Sequence, residues 1–199
     1  APHTVDPARP QGRRDGSPPG DVVCLGRFDL AKGTDVLLRA MRGLPSPILA
    51  GGLPHNPRAE ARWKAEWPDV RWRGWVDQGE RDRLLAAAAI VVCPSLEETL
   101  GLGALEAMRA GAPVVASDVG GLGEIVRDTG GGILVPAGDE AALRAVVVDL
   151  LGDPGRRSRL GRAGQRGVRD RWTWATLQQE WAAALRDTAP AWPNRSTSP

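Results

Sequence analysis

The stretch IVVCPSLEETLGLGALEAMRAGAPVVAS, residues 90–117, reads as a strand, a helix and a second strand in direct succession. IVVCP is a short β-branched run, residues 101–110 have the length and the small apolar side chains of a packed helix, and APVVAS is another β-branched run. Two strands joined by a helix pair in parallel through a right-handed crossover, with helices covering the sheet. This stretch therefore predicts an α/β domain.

The same alternation continues on both sides of this stretch. The upstream strands are predicted at 21–26 (DVVCLG), 47–52 (PILAGG) and 70–76 (VRWRGWV), with helical patterns at 32–43, 57–67 and 79–89. Downstream elements are a short helix at 122–127, the strand GGILVP at 131–136, and helices at 140–151, 154–171 and 175–186. The prediction is a doubly wound, Rossmann-like parallel sheet of about six strands, followed by C-terminal helices.

Composition and charge favour one soluble domain. A chain of 199 residues is long enough for one α/β core, and its formal net charge of +2 comes from interleaved acidic and basic residues. Nucleic acid is therefore not an expected partner. The apolar runs have strand length, and residues 1–10 lack the apolar core of a signal peptide, so a cytoplasmic location is expected.

The two cysteines and the chain ends complete this outline. Cys24 and Cys93 each lie within a predicted strand, which indicates reduced core thiols, and most of the eight Trp residues are expected in the core as well. Residues 1–20 and 188–199 are rich in Pro and in Gly, Arg or Ser, so both are expected to be linker or disordered tail around a domain at 21–187.

The segment GRFDLAKGT, residues 26–34, places two cations after the first strand. It does not fit a P-loop, which has Gly, four residues and then Gly-Lys-Ser/Thr, and no GxGxxG follows the strand. Arg27 at the end of the strand and Lys32 before the next helix can converge on an anion. Two solvated surface cations are the alternative, which spacing alone favours.

Two carboxylates follow the most apolar strand, Glu98 in the loop and Glu106 in the helix. A helical side chain points back toward the helix N-terminus, so Glu106 is expected over Leu102 and Gly103, beside the free N–H groups of the first turn. Those N–H groups suit a phosphate, and a nearby carboxylate accepts hydrogen bonds from a vicinal diol such as that of ribose. A helix-surface acid is the alternative, and Glu97 is expected to be such a residue.

These motifs together resemble a known family. With seven residues between Glu98 and Glu106, PSLEETLGLGALEAM resembles the signature of the retaining glycosyltransferases of family 4, also called group 1. GRFDLAKG, RGWV at 73–76, GGILVPAGD at 131–139 and RWTW at 171–174 resemble further motifs of that family in the same order. The resemblance covers roughly residues 21–186 and implies one half of the two-domain GT-B architecture.

The resemblance implies roles for the charged residues of these motifs. Arg27 and Lys32 match the catalytic cations that hold the donor diphosphate and stabilise the leaving nucleotide. Glu98 matches the carboxylate near the donor sugar, and Glu106 matches the ribose-binding acid. No divalent metal and no other cofactor is expected, because the two cations and a helix N-terminus neutralise the diphosphate.

Backbone contacts and the reaction are implied in the same way. Backbone groups of Thr99, Leu100, Gly101 and Leu102 match those that contact phosphate and sugar oxygens, and Val76 matches the backbone contact with the nucleobase. The implied reaction transfers a sugar from a nucleotide-diphosphate sugar to a carbohydrate or lipid-linked acceptor, with retention of anomeric configuration. The departing phosphate itself can accept the proton of the acceptor.

The resemblance further implies a partner domain. Family members hold the acceptor mainly in an N-terminal domain, and this chain corresponds to the second one, so a fragment with little or no transfer activity is expected. Any association with a membrane surface is expected only through the other half. The predicted last helix carries an apolar face that would pass toward that domain, formed by Trp174, Leu177, Trp181 and Leu185.

Two other functions stay open from the sequence. A sugar-nucleotide epimerase can use the same fold, but no separate acid/base cluster is visible, and His55 stands alone in a Pro-rich loop where a surface position is expected. A non-catalytic module that binds a nucleotide sugar is the other alternative. Turnover of an acceptor separates this module from an enzyme.

Overall fold

The computed structural model describes residues 20–45, 47–51 and 57–173, together with Thr176 and Gln178. Within them lies a six-stranded parallel sheet. Its strands are β1 (Val22–Leu25), β2 (Ile48–Ala50), β3 (Arg71–Gly74), β4 (Ile90–Cys93), β5 (Val114–Ser117) and β6 (Gly132–Val135). The helices are α1 (Thr34–Ala40), α2 (Pro57–Glu66), α3 (Gln78–Ala87), α4 (Leu102–Arg109), α5 (Gly120–Thr129), α6 (Glu140–Gly152) and α7 (Pro154–Arg171).

The strand order β3-β2-β1-β4-β5-β6 makes the sheet doubly wound. β1 pairs with β2 through Val23 opposite Ile48, and with β4 through Val22 opposite Ile90. The chain therefore runs outward from β1 in one direction and outward from β4 in the other. In such sheets a crevice opens at the carboxyl ends of the two central strands, where ligands bind. The predicted fold class is confirmed.

Alternating strand residues supply two hydrophobic cores, one on each face of the sheet. Val23 and Val91 point to the face covered by α3, α4, α5 and α7, where fully buried residues such as Leu105 and Ile125 pack. Val22 and Ile90 point to the opposite face, which α1, α2 and α6 cover. Burial on both faces fixes the register of the central strands, so the loops after them are held in place.

Two predicted elements have different bounds in the structure. The helix predicted at 122–127 begins earlier: Gly120 and Gly121 are the first residues of α5, and a Cβ on them would lie 1.9 Å from the carbonyl oxygen of Glu98 and 2.5 Å from that of Leu100. The strand predicted at 70–76 spans only Arg71–Gly74, and Trp75 beyond it is 77% exposed. The reason is that β3 ends at Gly74, whose left-handed φ of 64° turns the chain away from the sheet.

Several predictions concern the ends of the chain. The Thr173 hydroxyl accepts a hydrogen bond from the backbone N–H of Thr176 at 3.3 Å, the contact expected of a helix N-cap. His55, the last helix beyond Gln178 and both predicted tails, apart from Gly20, lie outside the described residues. In the part of the chain that the structure describes, no helix is long and apolar enough to span a bilayer.

Candidate functional site

A cavity of about 520 Å³ opens at the carboxyl ends of β1 and β4, at the switch point of the sheet. Its volume is within the range of small-molecule sites. Charged side chains contribute to its wall, namely those of Arg27, Lys32, Arg81 and Glu98. The remaining wall comes from Cys24, Leu25, Gly26, Val92, Cys93, Pro94, Ser95, Thr99, Leu100, Gly101, Leu102, Gly103, Ala104 and Leu122.

Two loops that follow β1 and β4 are joined at the mouth of this cavity. The carbonyl oxygen of Ala31 accepts hydrogen bonds from the backbone N–H of Leu96 at 2.8 Å and of Glu97 at 3.2 Å. Gly33 has a left-handed φ of 62°, and a Cβ there would lie 1.9 Å from the carbonyl oxygen of Pro94. Because glycine alone fits this approach, the first loop can bring Lys32 against the second.

Lys32 and Glu98 form an ion pair across these loops. Lys32 Nζ donates to Glu98 Oε2 at 2.7 Å, and 27% and 21% of the two side chains are exposed. Burial alone would raise the pKa of Glu98. The opposing effect is larger and comes from the hydrogen bond and charge of Lys32 and from the backbone N–H groups of Gly101 and Leu100. The pKa of Glu98 therefore lies below its ordinary value. Glu98 is therefore an ionised carboxylate at neutral pH.

The N-terminus of α4 forms one wall of the cavity. Gly101 is its N-cap with a left-handed φ of 83°, and no side chain caps the helix. Leu102 and Gly103 follow in the first turn and line the cavity. First-turn N–H groups have no acceptor within their own helix and carry the positive end of the helix dipole, so this wall suits an anion.

Arg81 is a wall residue that the sequence analysis missed. Its Nε donates to Glu106 Oε2 at 2.8 Å, and its Nη2 donates to the same oxygen. Arg81 lines the cavity, whereas Glu106 is not among its lining residues. No local pattern marked this residue, because α3 meets α4 only in the folded domain.

The other predicted site residues have different positions. Arg27 lines the cavity with 55% of its side chain exposed, and its Nε lies 3.6 Å from Asp29 Oδ2. Thr99, Leu100, Gly101 and Leu102 also line it, as their predicted role requires. Val76 is half-buried after β3 and lies outside the wall. The structure thus brings together every predicted site residue except Glu106 and Val76.

Both cysteines line the cavity, and both are free thiols, as predicted. Burial raises the pKa of Cys24 to about 12, and burial also raises the pKa of Cys93 well above its ordinary value. Both thiols therefore stay protonated at neutral pH and act as apolar wall atoms. Among the described residues, no three His, Cys, Asp or Glu side chains are grouped as metal ligands would be.

Two solved structures superpose closely on this domain. The chain superposes on a sucrose-phosphate synthase from Thermosynechococcus elongatus with a TM-score of 0.74 and 32% identity, over 84% of this chain and 45% of that one. It superposes on Anabaena HepE in complex with UDP-glucose with a TM-score of 0.73 and 24% identity, over 84% and 49% of the two chains. The domain has the Rossmann-like fold of one half of a GT-B glycosyltransferase.

The family described as "Glycosyl transferases group 1" matches residues 19–153. A D-inositol 3-phosphate glycosyltransferase of Xylanimonas cellulosilytica is 40% identical over 83% of this chain and 41% of its own length. A phosphatidyl-myo-inositol mannosyltransferase of Mycobacterium leprae is 35% identical over 80% and 44%. The chain belongs to the group 1 glycosyl transferases, as its motifs predicted, and it spans less than half the length of these curated relatives.

Proposed function

We propose that this chain is the donor-binding domain of a retaining glycosyltransferase, and that its cavity holds a nucleotide-diphosphate sugar. The observation that supports this most directly is the cavity at the ends of β1 and β4, where Arg27 and Lys32 lie with the N-terminus of α4. Two cations and a helix N-terminus complement the charge of a diphosphate.

The same groups supply the charge stabilisation that the reaction requires. When the bond to the anomeric carbon breaks, negative charge develops on the departing phosphate. Lys32, held at 2.7 Å from Glu98, and the first turn of α4 are fixed before the ligand arrives, so they stabilise this charge with little reorganisation. On this proposal no divalent metal and no other cofactor takes part.

Glu98 is proposed to position the donor sugar rather than attack it. Its carboxylate already accepts hydrogen bonds from Lys32 and from the backbone N–H groups of Gly101 and Leu100. An oxygen engaged in this way is a weak nucleophile but still accepts a hydrogen bond from a sugar hydroxyl. The departing phosphate then takes the proton of the acceptor hydroxyl, and the sugar is transferred with retention.

The remaining predicted roles follow the same arrangement. Glu106 binds the ribose, Val76 contacts the nucleobase through its backbone, and Thr99, Leu100, Gly101 and Leu102 offer backbone groups to phosphate and sugar oxygens. The acceptor is a hydroxyl of a carbohydrate or lipid-linked compound, held mainly by a second domain. The names of the two curated relatives support a hydroxyl acceptor, because both names specify an inositol-containing compound. A cytoplasmic location stays a prediction.

Calorimetric titration of the full chain with UDP, GDP and ADP tests donor binding. We expect one nucleotide to bind saturably and Glu106→Ala to weaken that binding. Glu97→Ala is the matched control, since Glu97 is an exposed carboxylate next to Glu98. Failure of all three nucleotides and of their sugar conjugates to bind would overturn the proposal.

Transfer is tested separately with the sugar conjugate of the nucleotide that binds and with a polyol acceptor. The anomeric proton of the product, read by NMR, reports whether configuration is retained. An inverted product contradicts the retaining mechanism. Turnover excludes the alternative of a non-catalytic binding module.

A further inference from the structure

The wall that α3 contributes to the cavity carries a cation that is paired with a carboxylate. Arg81 lines the cavity, and its partner Glu106 on α4 is not among the lining residues. Arg81 Nε donates to Glu106 Oε2 at 2.8 Å, with Nη2 donating to the same oxygen. Arg81 therefore lies at the surface that a ligand in the cavity would face.

Both members of this pair are held by the surrounding fold. Only 25% of the Arg81 side chain and 22% of the Glu106 side chain are exposed. The backbone N–H of Arg81 donates to the carbonyl oxygen of Asp77 at 2.9 Å in the first turn of α3, and Leu85 anchors α3 in the core. The guanidinium is therefore preorganised, unlike that of a mobile surface arginine.

The pair leaves hydrogen-bonding capacity on both partners. Nε and Nη2 of Arg81 both donate to Oε2 of Glu106, so Nη1 of Arg81 and Oε1 of Glu106 take no part in it. A donor beside an acceptor complements a vicinal diol more fully than an acceptor alone, because each hydroxyl can both accept and donate a hydrogen bond. A lone carboxylate offers only the acceptor.

We propose that Arg81 is a ligand-binding residue of this site, which donates hydrogen bonds to the ribose hydroxyls of the nucleotide. Glu106 orients the guanidinium and accepts from the same diol. This inference rests on the proposed function, because it requires a nucleotide in the cavity. Arg27 and Lys32, which come from the loop after β1, keep the phosphate contacts.

The test compares three ligands by calorimetry on the full chain. They are the nucleotide among UDP, GDP and ADP that binds most tightly, its 2′,3′-dideoxy analogue, and inorganic pyrophosphate. We expect the unaltered chain to prefer the ribonucleotide over the dideoxy analogue by about tenfold or more, since the diol makes charge-assisted hydrogen bonds. Arg81→Met is expected to reduce this preference severalfold and to change pyrophosphate binding much less.

Two further variants separate a direct contact from a supporting role. Arg81→Lys keeps the positive charge without the planar guanidinium, and it is also expected to lose preference for the ribonucleotide. This variant keeps the test available if Arg81→Met does not fold. In Glu106→Gln, Arg81 still donates, so part of the preference should persist. The whole ribose preference should disappear in the double variant Arg81→Met/Glu106→Gln. If Glu106→Gln removes the whole preference while Arg81→Met leaves it unchanged, Glu106 alone binds the diol and the inference is overturned.

The remaining outcomes are also decisive. A full ribose preference in both Arg81→Met and Arg81→Lys would overturn the inference while leaving the proposed function standing. Equal weakening of all three ligands would overturn it too, because Arg81 would then contribute only general positive charge. Tighter binding of the ribonucleotide to Arg81→Met would show that the guanidinium obstructs the ligand, and it would overturn the inference. Absence of nucleotide binding to the unaltered chain would overturn both proposals.

Discussion

Lys32 Nζ lies 2.7 Å from Glu98 Oε2, although the two residues are 66 positions apart in the sequence. The contact depends on the backbone hydrogen bonds of Ala31 and on the close approach of Gly33 to Pro94. In this domain the cation is thus neutralised by a carboxylate of the same cavity. A diphosphate that enters has to share Lys32 with Glu98.

Lys32→Ala is expected to weaken nucleotide-diphosphate binding about tenfold or more, because a charge-assisted hydrogen bond contributes on the order of 1.5–3 kcal/mol. Calorimetry at constant ionic strength measures the effect. Lys64→Ala, at an exposed position on α2, is the control for loss of one positive charge. Equal affinity of the unaltered chain and Lys32→Ala would remove Lys32 from the site.

Part of that loss could come from the carboxylate left behind in Lys32→Ala. The double variant Lys32→Ala/Glu98→Gln removes this repulsion. If Lys32 itself binds the diphosphate, the double variant still binds clearly less tightly than Glu98→Gln alone. If the two have the same affinity, the effect of Lys32→Ala arises from Glu98.

The ion pair also predicts a dependence of stability on pH. The pKa of Glu98 is lower in the folded domain than its ordinary value of about 4.3, so ionised Glu98 stabilises the fold above that pH. This contribution is lost as the pH falls from about 4.3 through the lowered pKa. The difference in unfolding free energy between the unaltered chain and Glu98→Gln should therefore be largest near neutrality and should shrink in acid.

Urea unfolding between pH 7 and pH 3 measures this difference. Glu97→Gln is the matched control, because Glu97 is an exposed carboxylate on the same loop. The difference in unfolding free energy between Glu97→Gln and the unaltered chain should stay small from pH 7 to pH 3. A Glu98→Gln difference that is constant across this range would show that Glu98 is not preferentially ionised in the fold.

Sequence patterns predicted most of this fold because its signals are local. Short β-branched runs and the helical stretches between them fixed the order of strands and helices, and one continuous motif contained Glu98 and the first turn of α4. Arg81 gave no such signal, since its partner Glu106 is 25 positions away and the contact requires α3 to pack beside α4. The strand predicted at 70–76 was too long because its periodicity was extended past Gly74, where the chain turns.

The raised pKa values of the two thiols predict low chemical reactivity. Cys24 is buried and Cys93 is half-buried. Desolvation raises the pKa of Cys24 to about 12 and that of Cys93 well above its ordinary value, and the thiolate is the reactive form. Thiol labelling at pH 8 should therefore be slow for the folded chain and fast for both residues in urea. Cys24→Ser and Cys93→Ser assign any signal to one residue. Labelling of the folded chain at the rate of the unfolded chain would show that the fold does not hold the thiols protonated.

The packing of α7 predicts a strong asymmetry between two helical glycines. A Cβ on Gly161 would lie 2.1 Å from the carbonyl oxygen of Gly111, a backbone atom that cannot rotate away. Gly161→Ala should therefore destabilise the domain by about 1–3 kcal/mol even though alanine favours helix by about 1 kcal/mol. Gly152→Ala, near the end of α6, meets no atom within 4 Å and should be neutral or slightly stabilising. Urea unfolding compares the two, and equal stability of both variants would mean that α7 does not approach the end of α4 closely.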